Sequence, residues 1–200
     1  MLTPLVSKAS SAGVRGALKL TLGTTALALL VAQVLPTRAE LLAAGPNGFV
    51  SEHVLVLPAT PDRTWTALTD EIALWWDAEH SYGGKADGFS LEAVAGGCFC
   101  EHLADGASVQ HMQVVQALPG RRLLMHGGLG PLAQMGVAGA MSFAFVPHQN
   151  GTELRYRYEV GGFTTGGLEA LAPAVDAVQL GQLQRLKNYL TIRSPLGVEP

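Results

Sequence analysis

The chain has 200 residues, 48% hydrophobic and 14% charged, with a formal net charge of −3. Length and composition suit one globular domain with an appendage. All four basic residues of the first 39 positions lie in that appendage, so without it the charge becomes −7. A domain of that balance lacks the Lys and Arg surplus that phosphate neutralisation needs. Nucleic acid is therefore not an expected partner, and there is no basic patch for anionic lipid.

The appendage comes first. Residues 1–39 contain Lys8, Arg15, Lys19 and Arg38 and no acid, and residues 20–35 read LTLGTTALALLVAQVL. A basic start, an apolar middle and small residues at Thr37 and Ala39 describe a secretory signal peptide cleaved near Ala39. The apolar run is short for a membrane span, which needs about 20 residues. The expected mature protein is exported, to a bacterial periplasm, with no stable membrane span. An uncleaved N-terminal membrane anchor is the alternative. No cysteine follows the apolar run, which excludes a lipoprotein anchor.

One domain is expected over residues 48–192. FVSEHVLVL (49–57) is rich in β-branched and apolar residues and predicts a strand. Thr60 as N-cap and Pro61 at the first helical position then start a short helix to about Leu68. A second short helix, capped by Asp70, is expected around DEIALWW. After a Gly-rich loop at 80–88, strands are expected at 89–94, 98–103, 108–115, 122–127, 140–147 and 152–160. Asp105-Gly106 and Asn150-Gly151 mark hairpin turns. From Leu168 to about Ile192, apolar residues recur near helical spacing, with Pro173 close to the start. An α+β domain follows: a curved antiparallel sheet of about six or seven strands wrapped around one long C-terminal helix. Concave, mostly apolar spaces of that kind suit small molecules.

The order of LPATPDRTWTALTDEIALWW, GGCFCEHL, VVQALPGRRLLM, GTELRYRYEVGG and AVQLGQLQRLKNYL resembles the SRPBCC, or START-like, superfamily. More narrowly it resembles the branch of polyketide-cyclase-like and heat-shock-ATPase-activator-like proteins. The resemblance implies a helix-grip fold with a deep hydrophobic cavity. It implies little about chemistry, because fold is not function. The secretory leader departs from most of that branch and makes an ATPase-activator role improbable.

Cys98 and Cys100 are the only cysteines. In a regular strand, residues i and i+2 point the same way about 6.6 Å apart, while a disulfide needs Cβ atoms about 3.5–4.5 Å apart. Unless the strand bulges, the pair cannot close. The same spacing opposes a metal site with His102, and no metal or other cofactor is expected. A two-residue turn would set Cys100 opposite His111, where a thiol beside an imidazole can be activated. A one-residue bulge would set Glu101 there instead. Semi-buried filler is the expected role of both cysteines.

Glu101 alternates with Phe99 and Leu103. Among apolar groups its proton affinity should rise, and it could orient a ligand or act as acid or base. Trp75-Trp76 supplies apolar wall, with His80 and Tyr82 on the adjoining loop. The segment 127–140 is apolar and glycine-rich and could gate a cavity through Leu132 and Met135. The expected function is binding of a small hydrophobic ligand (a lipid, or an aromatic or polyketide-like molecule). The ligand-binding candidates are Trp76, His80, Tyr82, Phe99, Glu101, His111, Met112, Met135 and Leu183. The alternative is a small cyclase or hydratase using Glu101 and His111 as an acid–base pair.

Overall fold

A computed structural model describes residues 39–192. The leader therefore lies outside the described residues, apart from Ala39. Strand β1 (Ala39–Gly45) and β2 (Gly48–Leu57) form a hairpin, and helix α1 (Pro61–Thr69) follows. Strands β3 (Phe89–Leu91), β4 (Cys98–His102), β5 (Ser108–Leu118), β6 (Arg122–Gly127), β7 (Gly136–His148) and β8 (Gly151–Phe163) come next. Helix α2 (Ala172–Ile192) is the last described element. All eight strands join one antiparallel sheet in the order β1-β2-β8-β7-β6-β5-β4-β3.

Alternation decides which face is covered. Along β2, Phe49, Ser51, His53, Leu55 and Leu57 are buried. Along β8, Thr152, Leu154, Tyr156, Tyr158 and Val160 are buried. Period-two burial on a pleated strand defines one inner face, and α1 and α2 pack on it. Fully burying a Leu such as Leu57 or Leu154 stabilises the fold by about 1.5–3 kcal/mol. Register shifts lie between Leu41 and Ala43, at Phe99/Cys100, and between Val114 and Gln116. Such bulges bend a sheet, which lets eight strands curve about one helix.

The helix α1 starts as expected. Thr60 accepts from the Arg63 N–H at 3.3 Å, and Pro61 takes the first turn. The second expected helix shrinks to two 3-10 turns, Ile72–Leu74 and Ala78–His80. The Trp75 indole N–H donates to Ala67 O at 2.7 Å, and Trp75 is 2% exposed. That tether pulls the chain back onto α1, and tertiary packing overrides a weak helical preference.

Two corrections concern the front of the domain. The sheet begins at Ala39, not at residue 48, because AELLAAG pairs with β2. Among the described residues the sheet has eight strands, since β1 adds one edge to the seven segments expected. Among the described residues no helix is long and apolar enough to cross a membrane.

Candidate functional site

The inner face carries an interior cavity between sheet and α2. Its walls are mostly apolar: Trp75, Trp76 and Phe99 on one side, Met125, Met141 and Phe143 on the sheet floor, and Leu183 from α2. Three polar side chains join them, Tyr156 from β8 and Gln179 and Gln182 from α2. All three are buried. The cavity is about 20 Å³, room for one water-sized body.

Outside α2 lies a groove of about 380 Å³, lined by Asp77, His80, Ala177, Val178, Gly181, Gln182 and Arg185. Gly181 leaves open space there, since a Cβ at that position would meet nothing within 4 Å. Arg185 donates to Trp75 O at 2.9 Å and lies 3.6 Å from Asp77. Gln182 alone is shared between groove and cavity. Its carbonyl accepts from the Asp77 N–H at 3.1 Å.

Glu101 and His111 do meet, but beside the cavity rather than in its wall. The β4–β5 register explains how. Phe99 pairs with Met112, yet Cys100 pairs with Gln110, so His111 is the extra residue of a bulge. His111 and Met112 are consequently both buried, against the usual alternation. Neither register considered from the sequence holds throughout. His111 Nε2 stands 3.3 Å from Glu101 Oε2. Glu101 also accepts from the Tyr82 N–H at 3.0 Å and the Gly83 N–H at 2.7 Å. A Cβ on Gly83 would lie 3.0 Å from Leu103 Cδ2 and 3.2 Å from that carboxylate, a tight fit that those side chains would have to ease by a few tenths of an ångström.

Burial pushes the Glu101 carboxyl up, but its bonds from Tyr82, Gly83 and His111 outweigh burial and leave it below its ordinary value. The expected rise in proton affinity is therefore reversed, because the carboxylate is hydrogen-bonded where the sequence suggested apolar neighbours. Burial holds His111 below its ordinary value despite the opposing pull of Glu101. At neutral pH the imidazole is the donor and the carboxylate the acceptor. The pair latches the 81–84 loop to the sheet. The Phe99 ring lies tilted against His111, centroids 5.2 Å apart, and itself lines the cavity, so the pair stands one ring away from that space.

The other candidates divide clearly. Trp76, Phe99 and Leu183 line the cavity. His80 lines the outer groove. Met112 is buried and Met135 half-buried, and both pack in the core outside the cavity wall. Tyr82 is exposed, its hydroxyl donating to Gly130 O at 3.2 Å. Leu132 is fully buried in a 3-10 turn, Gly130–Gln134, so residues 127–140 form packed structure rather than a loose gate.

Cys98 and Cys100 correct another expectation. They form a disulfide, with Cα atoms 5.3 Å apart. That span is shorter than the regular value of about 6.6 Å, although the extra residue of the nearby bulge lies on β5 and β4 keeps its register with β3. A three-residue loop removes little chain entropy, so Cys98→Ser with Cys100→Ser lowers stability by only about 1–2 kcal/mol. Urea melting of the double variant checks this, and a loss above about 3 kcal/mol would contradict it.

A second buried polar cluster had no signal read from the sequence. Ser51 donates to Asp176 Oδ1 at 2.5 Å. His53 Nε2 lies 3.0 Å from the same oxygen and 3.2 Å from Ser51 Oγ. The residue types match a catalytic triad, but the geometry does not. A triad places acid and serine on opposite imidazole nitrogens, whereas here both sit on Nε2 and the serine gives its proton to the acid. Ser51 and His53 are also fully buried. The available signal was polar residues in phase with apolar ones, Ser51 and His53 between Phe49 and Leu55, and Gln179 and Gln182 beside Leu183 and Leu186.

No family model matches the sequence, and no curated protein matches it. Solved structures do. An uncharacterized protein from Rhizobium leguminosarum is 18% identical with a TM-score of 0.53, over 76% of this chain and 97% of its own. A protein from Chromobacterium violaceum is 19% identical with a TM-score of 0.52, over 73% and 98%. A protein of the dynemicin biosynthetic locus is 20% identical with a TM-score of 0.51, over 73% of this chain and 48% of its own. At these identities the likeness is one of fold: an antiparallel sheet packed on a C-terminal helix.

Proposed function

We propose that the protein binds a small, largely apolar molecule between the sheet and α2, and that it is a START-like helix-grip carrier. The observation that carries this reading is Gln182, a buried side chain that borders both an apolar interior cavity and a groove of about 380 Å³. Ligand pockets span about 300–1,000 Å³, so the cavity as it stands admits nothing larger than water, and we infer that Gln182 swings aside to join the two spaces. Binding then couples to opening, and the measured affinity is reduced by the fraction of molecules that are open.

The test is titration of the environment-sensitive dye N-phenyl-1-naphthylamine. Leu183→Phe fills the cavity and lowers dye affinity tenfold or more, with the fold retained by circular dichroism. Gln182→Ala removes the bond to Asp77 and speeds dye association several-fold in stopped flow. Unchanged affinity in Leu183→Phe would reject the site. The small closed volume favours a second reading, a filled core with no ligand, and absence of any dye binding to the wild type would establish it.

We also place the mature protein in an exported, oxidising compartment. The leader pattern of residues 1–39 and the Cys98–Cys100 disulfide support that placement. Mass determination of the protein isolated from the periplasm tests it, with a mature N-terminus at Glu40 as the expected result.

A further inference from the structure

Tyr156 and His53 are direct cross-strand partners on the inner face of β8 and β2. Their rings stack with centroids 5.7 Å apart and planes 24° apart. The Tyr156 hydroxyl and His53 Nδ1 are buried without a hydrogen-bond partner among the described residues. Tyr156 is 2% exposed and His53 0%. Two such atoms on neighbouring residues are costly, because each unmet buried polar group forfeits its hydration.

Their surroundings point one way. Tyr156 lines the cavity with Phe143 and Met141 and with the amides Gln179 and Gln182, yet its hydroxyl bonds to none of them, and His53 lies outside that lining. Burial, then the Tyr158 and Asp176 charges, push the Tyr156 hydroxyl well above its ordinary value, so it keeps its proton. His53 is fixed through Nε2 by Asp176 and Ser51. Its Nδ1 presents a lone pair, or an N–H when both nitrogens are protonated.

We propose that Tyr156 forms a hydroxyl-binding subsite in the cavity wall, with Nδ1 of His53, whose ring stacks on Tyr156 from outside the lining, as the second polar atom; it takes the oxygen of an alcohol or phenol whose remaining surface is apolar. A hydroxyl both gives and accepts. It can accept from Tyr156 while donating to the Nδ1 lone pair, or reverse both roles if Nδ1 is protonated. A carbonyl or ether oxygen only accepts, so it leaves a bare Nδ1 lone pair unmet. A hydrocarbon leaves both atoms unmet. The inference rests on the ligand-binding reading above and adds the ligand's polar group.

Phenol and toluene are the probes, matched in size and differing in the hydroxyl. Binding is followed by NMR through the indole N–H signals of Trp75 and Trp76, both in the cavity wall. A merely greasy cavity prefers toluene by about tenfold, following its transfer preference. The subsite makes phenol bind at least as tightly as toluene in the wild type. Tyr156→Phe then weakens phenol about tenfold and leaves toluene within about twofold. Toluene preferred by its full transfer margin in the wild type overturns the subsite while the ligand-binding reading stands, and this comparison needs no variant. Equal loss of both probes in Tyr156→Phe also overturns it. Failure of both probes to bind the wild type removes the ligand-binding reading and the subsite with it.

Discussion

Glu101→Gln lowers the free energy of unfolding at pH 7 by about 2–3 kcal/mol, read as a shift in urea midpoint at constant m-value. The carboxylate is 1% exposed and accepts from Tyr82, Gly83 and His111. A carboxamide presents one oxygen and one NH2 group, so at least one of those donors would face another donor. The loss depends on pH with a definite sign. Glu101 has a folded value below 4.5, so its contribution is complete above the unfolded value and disappears as pH falls through the folded one. His111 has a folded value below 6.5. The unfolded chain therefore binds a proton near 6.5 while the folded one does not, and stability again falls with falling pH until the folded value is passed. The gap between wild type and Glu101→Gln narrows between pH 7 and pH 3. A gap constant across that range would mean that the carboxylate is not what holds the 81–84 loop. Any activity assay on this variant should accordingly be paired with a stability measurement.

The same pair shows what could be read in the sequence and what could not. Period-two alternation placed Phe99 and Glu101 on one face, and the chain does so. The Asp-Gly turn was legible too: Asp105 and Gly106 both adopt positive φ, 59° and 76°, which their residue types tolerate. What was hidden is the bulge at His111. A bulge inserts one residue without altering composition, so no count of apolar positions reveals it. That one residue brings His111 to Glu101. Local pattern thus located the residues, and the register that joins them belongs to the assembled sheet.

The helices divide in a similar way. Thr60-Pro61 and Pro173 are local stereochemical signals, and α1 and α2 begin where those signals lie. The expected second helix failed because Trp75 anchors to α1, a long-range effect with no local mark. Edge strand β1 escaped notice because it adjoins an apolar leader and its own AELLAAG alternates poorly. The cavity's polar residues were overlooked for a different reason. Reading α2 for its leucines finds the core stripe and passes over Gln179 and Gln182, which share it. Buried polar residues inside an apolar stripe are the more informative feature, since each needs a partner or a function.

Asp176→Leu lowers stability by about 3 kcal/mol, and the triple variant Ser51→Ala, His53→Leu, Asp176→Leu recovers most of that loss. Asp176 Oδ1 takes contacts from both Ser51 and His53, which are fully buried. Removing the acceptor alone strands two donors away from water, the costly arrangement. Removing all three partners replaces the polar cluster with apolar volume beside Leu55 and Leu57, an exchange that is often neutral or better. The comparison separates stability from binding because Tyr156 remains in place. Chemical denaturation of the wild type, Asp176→Leu and the triple variant reads the first quantity, and phenol against toluene affinity reads the second. Recovered stability with phenol weakened relative to toluene would show that His53 contributes to the hydroxyl preference. Recovered stability with the phenol-to-toluene ratio unchanged would assign the hydroxyl preference to Tyr156 alone. A triple variant as unstable as Asp176→Leu would mean the three residues hold α2 to β2 in a way that apolar packing cannot replace.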